Sequence, residues 1–129
     1  MNKLIVALMM TFSFTAQSSV FVSYCSNFGT GIGASYQSCV NNNARKIAAK
    51  LEPAYVRSCF YYGGSMSSYT SCVNSVMSSL VYKTEGNVYA SYCMSFGDVL
   101  SGSFTSCVQN NFQRLGNYVN GLDSSTDID

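Results

Sequence analysis

The chain has 129 residues, of which only 10% are charged and none is histidine. Seven Lys and Arg residues against six Asp and Glu residues give a formal net charge of +1, which is not the basic footprint of a protein that binds nucleic acid or an anionic membrane surface. The lack of histidine excludes Ser-His-Asp and Cys-His catalysis and most catalytic zinc sites. Because typical domains are about 25% charged, this near-neutral surface favours a partner surface or self-association.

Residues 1–18 have the pattern of an export signal. Lys3 supplies the positive charge, and residues 4–14 form an apolar run of the length of a signal-peptide core. Ala16 and Ser18 are small residues at the −3 and −1 positions, so we predict cleavage after Ser18, with an uncleaved N-terminal anchor as the alternative. Loss of Lys3 leaves six basic and six acidic residues, a net charge near zero. No later stretch is apolar and long enough to span a membrane, so the prediction is a secreted or periplasmic protein.

The rest of the chain is one motif written three times. Its first half has an aromatic residue four positions before a cysteine, and an aromatic residue and a glycine three and four positions after it. Its second half reads Ser-aromatic-x-Ser-Cys-Val. The first cysteines of the three copies lie 34 residues apart. This period predicts one domain over 19–120, with repeats at about 20–52, 53–85 and 86–120, followed by an acidic flexible tail at 121–129.

Both halves of the motif carry apolar residues at helical spacing. Phe21, Cys25 and Phe28 fall at i, i+4 and i+7, and Gly29 follows where a glycine would end a helix. The second half begins with Ser35 or its equivalent, a residue type that caps helices, and continues with an apolar stripe in steps of three and four. The predicted helices are 20–28, 35–51, 54–62, 67–83, 87–96 and 103–120. We therefore predict an all-α fold of three tandem disulfide-stapled helical hairpins, stacked as a short α-solenoid or a small bundle.

The hairpin arrangement predicts how the six cysteines pair. In each repeat the first cysteine lies four residues before a glycine, and the second lies four residues after a serine. Two antiparallel helices would hold such cysteines at equal depth, about 6 Å from the turn. The predicted disulfides are Cys25–Cys39, Cys59–Cys72 and Cys93–Cys107. The alternative joins neighbouring repeats, for example Cys39 to Cys59.

No pattern predicts catalysis, a cofactor or a bound metal. The cysteines lack the short Cys-x-x-Cys spacing of a metal cluster. Glu52 and Glu85 occupy equivalent positions and resemble a carboxylate pair, but duplication of a repeat by itself places like charges at like positions. Residues 29–33 are rich in glycine, yet they lack the lysine and the preceding strand of a phosphate-binding loop. We expect a protein that is not an enzyme.

Tyrosine is the residue type that indicates binding, because it offers rigid contact area with a polar group and is favoured at interfaces. Tyr36, Tyr69 and Tyr89 occupy motif positions, and we expect them to pack around the disulfides. The predicted contact surface consists of four tyrosines outside the strict motif, Tyr61, Tyr62, Tyr82 and Tyr118.

The leading functional hypothesis is a non-enzymatic binding or interaction module for a protein or an extended ligand. The alternative is a structural protein that assembles by continuing the stack of repeats, since Val20, Phe21 and Val22 make the N-terminal edge apolar. A membrane-active toxin and an enzyme are less favoured, because the first is usually basic and the second needs a base that the sequence does not supply.

Overall fold

The structure is a computed structural model that describes residues 19–28, 31–51, 55–63, 65–95 and 100–128, with side chains as far as Leu122. Within these ranges the fold is all-helical and has no β-strand. The three helices are α1 (Ala34–Lys50), α2 (Met66–Lys83) and α3 (Gly102–Ile128). None of the described helices is long and apolar enough to cross a membrane. The predicted signal peptide, residues 1–18, lies outside the described residues.

The three long helices were predicted from their apolar stripes, and the structure confirms them. Predicted spans of 35–51, 67–83 and 103–120 compare with the observed helices above, and α3 continues to Ile128, into the stretch predicted as a tail. Each helix buries the predicted stripe, with Ile47, Leu80 and Leu115 at most 1% exposed. The end of α2 is fixed by Glu85 and Gly86, which both take left-handed backbone conformations.

The three short helices predicted at 20–28, 54–62 and 87–96 are wrong: the described parts of these stretches are not helical. We refer to them as the first segment (19–28), the second segment (55–63) and the third segment (88–95). In the first segment, Val22 and Cys25 are buried three residues apart, while Phe21 and Tyr24 are exposed. This three-residue period is that of polyproline II rather than of an α-helix. The segments are also rich in Ser, Val and aromatic residues, which are weak helix formers.

The disulfide pairing is confirmed in all three repeats. The bonds are Cys25–Cys39, Cys59–Cys72 and Cys93–Cys107, with Cα–Cα distances of 5.6, 5.8 and 5.6 Å. Each bond attaches a segment to the helix of its own repeat, instead of joining two helices as predicted. The structure leaves no free cysteine among the described residues. Three intramolecular disulfides are typical of extracellular or other oxidising compartments.

The segments are not paired in a β-sheet; side-chain amides of the helices form the hydrogen bonds to their backbone. Asn41 of α1 accepts a hydrogen bond from the Cys59 amide at 2.8 Å and donates to the Cys59 carbonyl at 3.0 Å. Asn74 of α2 does the same for Cys93, at 2.9 and 2.8 Å. We term such a contact, in which one side-chain amide bonds a backbone N–H and a backbone C=O, an amide clamp. Each of these two helices therefore holds the segment of the next repeat.

The third helix holds the first segment in the same way. Gln109 of α3, at the position equivalent to Asn41 and Asn74, accepts from the Cys25 amide and donates to the Ser23 carbonyl, both at 3.0 Å. All three helices also contact one another. The contacts therefore close the repeats on themselves, as in a small bundle, whereas an open solenoid would keep α1 and α3 apart.

Candidate binding surface and groove

The aromatic residue four positions before the first cysteine of each repeat lies in solvent. Phe21, Tyr55 and Tyr89 are 76%, 88% and 76% exposed. The expectation that Tyr89 packs around a disulfide is therefore wrong, whereas Tyr36 and Tyr69 are fully buried. Folding explains the cysteines of the motif, whereas packing of the core does not explain these solvent-exposed aromatic side chains.

Other aromatic residues of the segments are exposed as well. We define the aromatic rim as the exposed aromatic residues of the three segments, which are Phe21, Tyr24, Phe28, Tyr55, Phe60, Tyr62, Tyr89 and Tyr92. The rings of Phe60 and Tyr62 lie with centroids 6.1 Å apart. Since each segment is held by a disulfide and by amide clamps, the rim presents large apolar area on a constrained backbone.

The contact surface predicted from the sequence is only partly exposed. Tyr62 and Tyr82 are exposed, while Tyr61 and Tyr118 are half-buried against the core. Among the described residues, no ring contact joins any two of these four tyrosines. Tyr62 belongs to the aromatic rim, where its ring neighbour is Phe60. The other three do not belong to it.

In the first repeat, α1 is also bonded to its own segment. Asn43 clamps Ser23, accepting from its amide and donating to its carbonyl, both at 2.9 Å. One turn further along α1, Lys46 donates from Nζ to the Phe21 carbonyl at 3.0 Å. An amide and a cation thus bond the helix to the backbone of its own segment.

The third repeat has the same pair of contacts. Asn111 clamps Ser91, with hydrogen bonds of 3.0 and 2.9 Å to its amide and carbonyl. Arg114 donates to the Tyr89 carbonyl at 3.3 Å. Both repeats therefore use an Asn four residues after the second cysteine and a Lys or Arg seven residues after it.

The second repeat lacks both groups and has a cavity in their place. The equivalent residues are Val76 and Ser79, and no described residue donates to or accepts from the backbone of Tyr55 or Arg57. A cavity of about 300 Å³ lies here between α2 and the second segment. Its described lining residues are Tyr55, Val56, Arg57, Ser75, Val76 and Ser79. We term this cavity the α2 groove.

A second cavity adjoins the α2 groove along the helix. It measures about 460 Å³, shares Ser75 and Ser79 with the groove, and extends to Tyr92 of the third segment. Ser75 and Ser79 therefore line both cavities, and the exposed rings of Tyr55 and Tyr92 belong to one cavity each. Arg57 is the one ionisable group besides tyrosine among the described lining residues of the two cavities, and the other lining residues are neutral.

The two buried tyrosines have no part in this surface. The hydroxyls of Tyr36 and Tyr69 have no hydrogen-bond partner within the described part of the chain. Burial raises the pKa of both phenols above the ordinary value for tyrosine. The equivalent residue of the third repeat, Phe104, is also fully buried, so these positions serve the core. No cluster of His, Cys, Asp or Glu suited to a metal ion is found in the described ranges.

The α2 groove was missed by sequence reasoning, although the sequence contains a signal for it. Alignment of the three copies on their second cysteines puts Asn43 and Asn111 opposite Val76, and Lys46 and Arg114 opposite Ser79. No family model, no characterised protein and no solved structure matches the chain.

Proposed function

We propose that the protein is a secreted or periplasmic, non-enzymatic binding module that holds an extended ligand or a partner protein on its aromatic rim. The observation that carries the proposal is the recurrence of an exposed aromatic residue at the same motif position in all three repeats. Large exposed apolar area favours an interaction site in soluble proteins, and aromatic side chains dominate the energy of many interfaces.

The way the segments are fixed supports the same proposal. A binding surface on mobile loops loses affinity because the loops must be ordered on binding. Here each segment carries a disulfide to a helix, and the backbone amides of Cys25, Cys59 and Cys93 are all bonded to side-chain amides. The rim is therefore ordered before a ligand arrives, and the ordering cost is met during folding.

The test compares the disulfide-intact mature protein with a triple variant, Phe21→Ser, Tyr55→Ser and Tyr89→Ser. Both are incubated with soluble and insoluble material from the native compartment, and the bound fraction is measured. We expect the triple variant to lose most of the binding while keeping its circular dichroism spectrum, since all three side chains are exposed. Equal binding by both proteins would refute the proposal. Loss of binding in Tyr82→Ser alone would return the site to the surface predicted from sequence.

Self-assembly is the second candidate, and the exposure of the rim is the observation that favours it. The apolar N-terminal edge gives weaker support to self-assembly than the sequence indicated, because Val22 is buried. The Val20 amide also donates to Asn120 of α3 at 2.8 Å, and Asn120 donates to the Val20 carbonyl at 3.0 Å. Of the three apolar residues at this edge only Phe21 is exposed, so assembly by continuing the stack loses most of its apolar end. Sedimentation of the mature protein over a range of concentrations separates the candidates, and a strictly monomeric species rules out self-assembly.

A further inference from the structure

We propose that the α2 groove is a binding site for a sugar residue of an uncharged glycan. The inference rests on the proposed function, because it names the ligand class of a protein taken to be a binding module. It starts from the difference between the second repeat and the other two. Where α1 and α3 bond the backbone of their own segments with an Asn and a cation, α2 has Val76 and Ser79.

The missing groups define what a ligand must supply. In the first and third repeats, the N–H and C=O of Ser23 and Ser91 are bonded by an Asn side chain. In the second repeat the equivalent residue is Arg57, whose N–H and C=O receive no bond from the described residues. A ligand must therefore accept from one backbone group and donate to another close by. Two adjacent hydroxyls of a pyranose ring do this, since each hydroxyl both donates and accepts.

The other walls of the groove fit the remainder of a sugar. Val76 lines the groove and is only 5% exposed. Its apolar side chain suits contact with the C–H face of a pyranose. Ser75 is exposed, and no described residue bonds its hydroxyl, so this hydroxyl is available for a ligand. Tyr55 stands at the edge of the groove with its ring in solvent, where an aromatic face provides apolar contact area with a polar group beside it.

Size and charge favour a glycan over a peptide. A volume of about 300 Å³ is at the lower end of ligand pockets, which span about 300–1,000 Å³, and the adjoining cavity continues the site along α2 toward Tyr92. A peptide that imitated the sister repeats would bring a carboxamide and a Lys or Arg. Arg57 already lines the groove and no described lining residue is acidic, so a second cation is disfavoured there.

The experiment titrates the whole mature protein with cellohexaose, maltohexaose and mannohexaose by calorimetry, and repeats the titration with Tyr55→Ser and with the double variant Val76→Asn, Ser79→Lys. The double variant restores the pattern of the first and third repeats. We expect at least one hexaose to bind, and each variant to raise the Kd by about tenfold or more. Ser68→Lys, an exposed change on the same helix with the same added charge, should leave the Kd unchanged.

Three results would overturn the glycan site. The first is no binding of any hexaose, and the second is equal binding by the protein and by both variants. The third is tighter binding of a short peptide rich in Asn and Lys, which would assign the groove to a protein partner. If the double variant does not fold, Tyr55→Ser decides alone, because its side chain is exposed. If no hexaose binds but the triple variant of the aromatic rim still loses binding to material from the native compartment, the glycan site is wrong and the proposed function stands.

Discussion

The closure of the three repeats makes Gln109 the most informative residue for a stability test. Its side chain is buried, and Gln109→Ala removes the hydrogen bonds to the Cys25 amide and the Ser23 carbonyl, each 3.0 Å long. Cys25 is 4% exposed, and an unsatisfied buried donor costs about 1–3 kcal/mol. The Ser23 carbonyl keeps its hydrogen bond from Asn43, so loss of the hydrogen bond from Gln109 to this carbonyl costs only about 1 kcal/mol. The free energy of unfolding should fall by about 2–4 kcal/mol and Tm by roughly 8–16 °C.

Urea unfolding of the disulfide-intact protein, followed by far-ultraviolet circular dichroism, measures this loss. Asn74→Ala removes the equivalent clamp between adjacent repeats, from both backbone groups of Cys93, and should cost at least as much. Gln113→Ala is the matched control, because Gln113 is an exposed glutamine on the same helix, and its effect should stay within about 0.5 kcal/mol. If Gln109→Ala resembles Gln113→Ala while Asn74→Ala is costly, the third helix does not hold the first segment and the ring of contacts is wrong.

The remaining predictions concern the core. A Cβ on Gly116 would lie 2.7 Å from Val22 Cγ2, so Gly116→Ala should lower the free energy of unfolding in urea by about 1–3 kcal/mol. Val22→Ala in the same chain should remove most of that penalty, and an undiminished penalty would contradict the contact. Tyr36→Phe and Tyr69→Phe each delete a buried hydroxyl that has no partner in the described ranges, so each should raise stability by up to about 1 kcal/mol, and a loss would show that the hydroxyl is bonded. Burial raises the pKa of both phenols, so their contribution to the free energy of unfolding should be complete below about pH 10, the pKa of tyrosine in the unfolded chain. Above that pH the stability should fall, because the unfolded chain releases protons that the folded chain retains. An unchanged urea midpoint on alkaline titration would contradict this.

The sequence predicted the three long helices and the disulfides because these depend on local spacing. Apolar steps of three and four identify α1, α2 and α3. The pairing was predicted from equal depths of about 6 Å in two helices, whereas four residues of an extended arm span about 12 Å. The predicted pairs are therefore correct, although the equal-depth argument behind them does not hold for an extended first arm.

The extended segments were mistaken for helices because two periods agree over a short stretch. Phe21, Cys25 and Phe28 match a helical stripe, but the buried residues are Val22 and Cys25, three apart. Eight residues are too few to separate a period of 3.0 from one of 3.6. The decisive partners are side chains on other helices, such as Asn43 and Asn41, which as polar residues only interrupt the apolar stripe of α1.

The candidate site was harder to predict because it depends on tertiary contacts. In the sequence, the repeated aromatic residues Phe21, Tyr55 and Tyr89 look like repeated core residues. Only the backbone conformation of the segments decides whether these side chains face the core or the solvent. The α2 groove arises from the absence of two contacts, and these contacts are recognisable only after the first and third repeats show what Asn43 and Lys46 do.

The bonds between α3 and the first segment join residues 84–100 positions apart, while each disulfide spans only 13 or 14. Contacts between distant residues form late, because closing a long loop costs more entropy. The segment nearest the N-terminus is therefore synthesised first and receives its last partner only after α3 exists. A chain shortened before α3 would leave the Cys25 amide and the apolar face of Val22 uncovered. The protein should consequently fold and unfold as one cooperative unit, unlike a linear array whose repeats gain stability one neighbour at a time.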